Sequence, residues 1–134
     1  MQQRGSGGNT VHALEAAAAL PERLTRVLVR VLVRERGGIV PMLVDDIEHL
    51  KSDTKYTAIA SKSRSHLVRL PITAFEQRLD SQRFLKVNRS CIVNLDFVDG
   101  MTPDESSQYV IRLRDGSSAT ASREVSKQLR AMAL

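Results

Sequence analysis

The sequence predicts a mostly β domain with short helices, and three observations carry that class. Val27, Val29, Val31 and Val33 recur at alternate positions in "VLVRVLV", the period of a strand built from β-branched residues. Turn signals, Gly37-Gly38 and Asp115-Gly116 above all, punctuate short apolar runs. Helical spacing of apolar residues holds only over brief stretches. The 134 residues suit one ordinary domain, and an apolar share of 42% with a charged share of 26% predicts a packed core. Aromatics reach only 4% with no Trp, so Val, Leu, Ile and Met must fill that core.

Taken in order, residues 1–10 are polar and Gly-rich and read as a flexible leader or a linker. "VHALEAAAALPERLTR" favours helix, with Pro21 ending one stretch or beginning another. The division expected is a leader and short helix over 1–25, then a domain over 26–134. Its first strand places Leu28, Arg30, Leu32 and Arg34 opposite the valines, and Gly37-Gly38 turns the chain into "IVPMLV". Pro41 confines that second strand to an edge or a bulge. "DDIEHLKSD" can start as a helical turn with Asp45 as cap and Glu48 three residues on. "KYTAIAS" and "SHLVRL" read as strands joined by a polar turn over Ser61–Ser65.

"PITAFEQRLD" reads as a helix to about Leu79, entered through a Thr73–Glu76 capping box with Ile72 as staple. "FLKV" and "CIVNLDFVDGM" are strands on either side of a polar island, Asn88-Arg89-Ser90. Val93, Leu95 and Phe97 are expected on one side of the second, Ile92 on the other. Asn94 is expected to bond neighbouring backbone. After a loop over Pro103–Ser107, "YVIRLRDGSSATAS" is a hairpin turning at Asp115-Gly116. Ser122 then caps a last helix that buries Val125, Leu129 and Met132.

No enzyme site shows itself. His12, His49 and His66 lack metal-ligand spacing, and no phosphate-cradling Gly loop or nucleophile elbow is present. No cofactor is expected. The acidic pairs Asp45-Asp46 and Asp104-Glu105 lie in turns, where solvated surface or capping explains them. The lone Cys91 rules out an intramolecular disulfide, reads as a small buried residue, and fits a reducing, cytoplasmic setting. No apolar run approaches the roughly 20 residues of a membrane span, and no secretory signal pattern opens the chain.

The charge is the informative total. A formal +5 with 18 basic and 13 acidic residues over 26–134 favours an anionic partner. The polar clusters fall at junctions: Lys51 to Tyr56 before a strand, Asn88-Arg89-Ser90 between two, and Ser122-Arg123 at a strand-to-helix corner. Junctions project side chains beyond sheet edges, where Arg forks reach guanine and Lys or Ser hold phosphate. The plain alternative is that Arg89 and Arg123 are solvated charges or ion-pair partners.

"RFLKVNRSCIVNLDFVDGM" resembles the core signature of the LytTR DNA-binding domain, through Leu79-Asp80, Phe84, Arg89-Ser90 and Val93-Asn94. "RLRDGSSATASREVSKQL" is similar to that family's closing hairpin, at Asp115-Gly116 and Ser122-Arg123. "DDIEHLKSDTKYTAIAS" matches an upstream run at Ile47, Leu50 and Tyr56, and "VRLPITAFEQRLD" matches loosely. Asn88 stands where the family most often has His, and Lys51 where an acidic residue is usual.

The resemblance implies an elongated stack of small antiparallel sheets, with loops entering successive major grooves of double-stranded DNA. It implies reading by Arg89 and Arg123, with Lys55 or Tyr56 contributing, and Asn88, Ser90, Ser122, Lys51 and Lys127 close by. It further implies a transcription regulator that binds paired, direct repeats as two copies. Family members usually follow a phosphorylated receiver of a two-component system. Residues 1–25 are too few to hold one, so a missing input domain, a different input or a stand-alone regulator is expected. Residues 11–25 are a candidate contact between copies, or a linker helix on their own domain. A non-enzymatic protein-interaction scaffold with an incidental basic surface is the competing reading. A single-strand or RNA binder lacks its row of stacking aromatics.

Overall fold

The computed structural model describes residues 28–134. The helical stretch and leader expected over 1–25 lie outside the described residues. Within them the chain forms ten strands and two α-helices, arranged as three small antiparallel sheets. The first is a hairpin of β1 (Arg30–Glu35) and β2 (Gly38–Leu43). Its turn is Arg36-Gly37, both at positive φ, so β2 begins at Gly38. Val31 and Val33 of the valine run are buried, Val29 precedes the strand and is exposed, and Val27 lies outside the described residues. Pro41 sits opposite Leu32 on a strand with no other partner among the described residues, where its missing N–H leaves no ladder bond unmade.

The second sheet has the order β5-β4-β3-β7-β6. Its members are β3 (Ile47–Asp53), β4 (Tyr56–Ser61), β5 (Arg64–Val68), β6 (Phe84–Asn88) and β7 (Cys91–Asn94). Alternation puts Leu50, Ile59 and Ile92 on one face, packed with β1, β2 and α1 (Ile72–Glu76). Cys91 and Val93 face the other way, into a second core shared with the third sheet. That sheet is β8 (Val98–Pro103), β9 (Tyr109–Leu113) and β10 (Ser118–Thr120), followed by α2 (Arg123–Met132). The central sheet is thus apolar on both faces over β7, whose four residues are all buried.

Several local expectations give way to tertiary structure. Asp45 does not cap a helix: Val44–Asp46 is a single 3-10 turn with Leu43 at its cap position, and β3 follows at once. Thr73 and Glu76 form no capping box, because Pro71 takes the cap position of α1 and Thr73 lies inside it. Proline's fixed φ suits that entry. Glu76 instead meets Lys86, and α1 ends there, short of Leu79.

The run from Cys91 to Met101 is not one strand. A 3-10 turn over Leu95–Phe97 breaks it and carries the chain from the central sheet to the third. Leu95 and Phe97 therefore lie in no strand with Val93, although Phe97 still packs against the second core with it and Ile92 lies in the first. Asn94 causes the break: its Oδ1 accepts the Asp96 N–H at 2.9 Å. Its Nδ2 donates to the Ile47 carbonyl at 2.8 Å. On α2, Met132 is exposed, while Val125 and Leu129 are half-buried and Ser126 is buried. The hydroxyl of Ser126 accepts the Tyr109 N–H at 3.0 Å, which explains a polar residue on the packed face.

Candidate nucleic-acid interface

Strand order gathers the junctions. β3 runs antiparallel to both β4 and β7, with Asp53 opposite Tyr56 and Lys51 opposite Cys91. The β3–β4 turn and the β6–β7 turn therefore emerge at the same end of the central sheet, and the β4–β5 turn at the other. Backbone bonds lock them together: the Ser52 N–H donates to the Ser90 carbonyl at 2.9 Å. On the far side a register shift between Lys86 and Asn88 bulges β6 at Val87. Bulges re-aim a strand end. Here the Val87 carbonyl accepts the Ser122 N–H at 2.8 Å, and Asn88 Nδ2 donates to the Thr120 carbonyl at 2.9 Å. Three stretches separated by some 30 residues each thus form one continuous edge.

The sequence-derived site residues divide into holders and presenters. Asn88 uses both ends of its amide internally, since its Oδ1 also accepts the Ser90 N–H at 2.8 Å. Ser122 caps α2, its Oγ accepting the Val125 N–H at 3.2 Å. Lys51 is half-buried beside Cys91. Lys55, Tyr56, Arg89, Ser90, Arg123 and Lys127 are exposed. Arg123 and Lys127 are four apart on α2 and so share a face.

Several cations away from this edge are ion-paired within the fold. Lys62 pairs with Asp46, Arg64 with Glu35, Arg83 with Asp45 and Asp96, Lys86 with Glu76 and Arg114 with Asp99. Arg130 lies over the Tyr109 ring and donates to the Ser107 carbonyl. Among the described residues, Lys51, Lys55, Arg89, Arg123 and Lys127 make no ion pair and no side-chain hydrogen bond. Arg30, Arg69 and Arg78 also lack them. Unneutralised cations on a rigid edge are what a phosphate backbone meets. Asp53, the last residue of β3, is exposed beside the β3–β4 turn.

Sequence reasoning missed a cluster that only folding assembles. His49 Nε2 lies 3.1 Å from Asp115 Oδ2 and 3.4 Å from Ser117 Oγ, clasping the β9–β10 turn to β3. The residue types suggest a hydrolase triad, but the geometry does not. Aspartate and serine crowd the same ring nitrogen, Ser117 donates to Asp115 at 2.5 Å, and Nδ1 is buried without a partner. A relay needs the acid on one nitrogen and the nucleophile on the other. The Ser117 hydroxyl bond, helped by His49, holds the Asp115 carboxyl below its ordinary value. Burial pushes the Cys91 thiol up, against the smaller pull of Lys51, so it is poorly nucleophilic. No cluster of three or more His, Cys, Asp or Glu able to hold a metal occurs among the described residues. No described helix is long and apolar enough to cross a membrane.

Comparison with known proteins bears on the domain as a whole. Residues 37–133 match the family model of the LytTr DNA-binding domain. The chain is 31% identical over 116 residues to the heme-containing CO-sensing transcriptional regulator RcoM 2 of Paraburkholderia xenovorans (strain LB400). That match covers 86% of this chain and 43% of the relative. It is 26% identical over 93 residues to the sensory transduction protein LytT of Bacillus subtilis (strain 168), covering 69% of this chain and 39% of that one. The chain thus spans about two-fifths of the length of these curated relatives. A solved LytTr DNA-binding domain from Bacillus cereus superposes with a TM-score of 0.70 at 20% identity, covering 78% of this chain and 95% of that one. This likeness establishes the fold.

Proposed function

The chain belongs to the LytTR DNA-binding domain family, and from that premise we propose that it is the sequence-reading part of a transcription regulator. The observation that carries the reading is the single edge on which the β3–β4 turn, the β6–β7 turn and the β10–α2 corner meet, with its cations unpaired. Arg89 and Arg123 project from two of these junctions into adjacent stretches of the major groove and fork to base edges. Lys55, Tyr56 and Ser90 contact the flanking backbone or base edges, and Lys51 and Lys127 add charge toward phosphate. Asn88 and Ser122 act by holding the two arginine-bearing junctions in register.

Two copies occupy paired direct repeats, each domain reading one. An input domain, whether a receiver or another sensor, controls their arrangement. The division of the chain into residues 1–25 and a domain over 26–134 belongs to the same proposal, with 11–25 connecting copies or domains. Selection from a pool of random duplexes at two salt concentrations tests the reading. A repeated motif that stays enriched at the higher salt, bound by two chains per duplex, is the expected outcome. Weak binding that enriches nothing and disappears with salt would leave only a basic surface.

A further inference from the structure

Arg69 lies just beyond β5, apart from the three polar junction clusters, yet it ends up on the same edge. β5 runs antiparallel to β4, with Val68 opposite Thr57. The chain leaving β5 therefore emerges beside Tyr56, at the end of the sheet that carries the β3–β4 and β6–β7 turns. The Leu70 N–H donates back to the Val68 carbonyl at 2.8 Å, which makes Arg69 the apex of a three-residue turn. Both feet of that turn are fixed. Val68 is buried, Leu70 packs against the first core, and the Thr57 hydroxyl donates to the Leu70 carbonyl at 2.7 Å. Pro71 follows and starts α1. The apex side chain is exposed and has no ion pair or hydrogen bond among the described residues.

A cation on a backbone anchored at both sides, exposed and left unneutralised among the described residues, serves no internal contact there. We propose that Arg69 is a further DNA-contacting residue, one that grips a backbone phosphate at the β5 flank of the interface. The inference rests on the DNA-binding reading above and extends it. Arg69 and the β6–β7 turn stand three strand spacings apart in the order β5-β4-β3-β7. At about 4.8 Å each this is roughly 14 Å, close to the major-groove width of about 12 Å. With Arg89 over base edges, a cation one groove width away meets the bordering phosphates. Arg69 therefore supplies affinity and register, and no sequence preference.

The test titrates the full chain with a random-sequence duplex and with its selected site across a salt series. The variants are Arg69→Ala, Arg69→Lys, Arg89→Ala and Lys62→Ala. Lys62 lies in the β4–β5 turn at the opposite end of the same sheet, so its variant removes an equal charge away from the edge. Arg69→Ala is expected to weaken both duplexes by the same several-fold factor and to flatten the log–log salt slope by about 0.9, the value of one phosphate contact. Arg69→Lys should retain most of the slope, and Lys62→Ala all of it. If Arg69→Ala matches Lys62→Ala while Arg89→Ala still loses sequence preference, this inference fails and the DNA-reading edge stands. If the wild-type chain binds neither duplex, both fall. Unchanged thermal unfolding of Arg69→Ala checks that the loss is one of contact.

Discussion

Asn88 and Asn94, six residues apart, show how one residue type does different work by position. Asn94 is fully buried and joins the Ile47 carbonyl to the Asp96 N–H, so it bonds β3 and ends β7 at once. Its structural role was legible because a polar residue inside an apolar run needs a backbone partner; that partner, 47 positions away, was not legible. Asn94→Ala leaves a buried carbonyl unpaired and is expected to cost about 1–3 kcal/mol, read as a lower urea midpoint at unchanged m. Asn88 stands at the opposite end of β7 and ties its turn to Thr120. The sequence marked it as a residue near DNA, but its amide is satisfied within the fold. Lys127 has no such internal role, so Lys127→Ala is expected to leave stability unchanged. It should weaken binding to all duplex sequences alike, with a salt slope lower by about 0.9. A loss confined to one sequence would assign Lys127 to base reading instead.

At the scale of elements, local signals were dependable where no neighbour competed for them. Ser122 caps α2 as its spacing predicts, and Ser122→Ala is expected to lower stability by about 1 kcal/mol, measurable by thermal unfolding. The Thr73–Glu76 signal fails because Pro71 fixes the helix start and Lys86 occupies Glu76. The break at Leu95–Phe97 was hidden, since Leu-Asp-Phe-Val reads as a strand until Asn94 captures the next N–H. The flanking sheets are clasped to the central one by histidine–carboxylate contacts that no sequence spacing reveals. His66 on β5 bonds Glu35 on β1, and His49 on β3 bonds Asp115 in the β9–β10 turn.

The His66 bond holds the Glu35 carboxyl below its ordinary value, and the Ser117 hydroxyl does the same first for Asp115. A carboxylate lowered in the folded chain contributes fully above its unfolded value, about 4, and loses that contribution as pH falls through its folded value. The stability gap between wild type and Glu35→Gln or Asp115→Asn is therefore expected to shrink as pH drops below about 4. Urea midpoints between neutral pH and about 3 measure it. A gap constant across that range would show that neither clasp depends on carboxylate charge.

For the whole molecule, most strands and the residues at their junctions could be read from the sequence, while their convergence could not. Antiparallel pairing of β3 with β7 brings residue 51 to residue 91, and the bulge at Val87 brings in Ser122. These long-range pairings turn three unrelated polar clusters into one edge. They also place Arg69: its charge and its loosely matching segment were visible in the sequence, but only the order β5-β4-β3-β7-β6 sets its exit beside the others. Two cores on opposite faces of one sheet make that edge rigid, since both contribute residues from β7. The central claim is that Arg89 and Arg123 read bases from this shared edge. It is tested most directly by the ratio of affinities for the selected site and a scrambled duplex, measured for the wild type, Arg89→Ala and Arg123→Ala at one salt concentration. Each variant is expected to lose about 1–3 kcal/mol on the selected site and much less on the scrambled one, with thermal unfolding unchanged. An unaltered ratio in both variants would contradict the account and leave the two arginines as solvated charge.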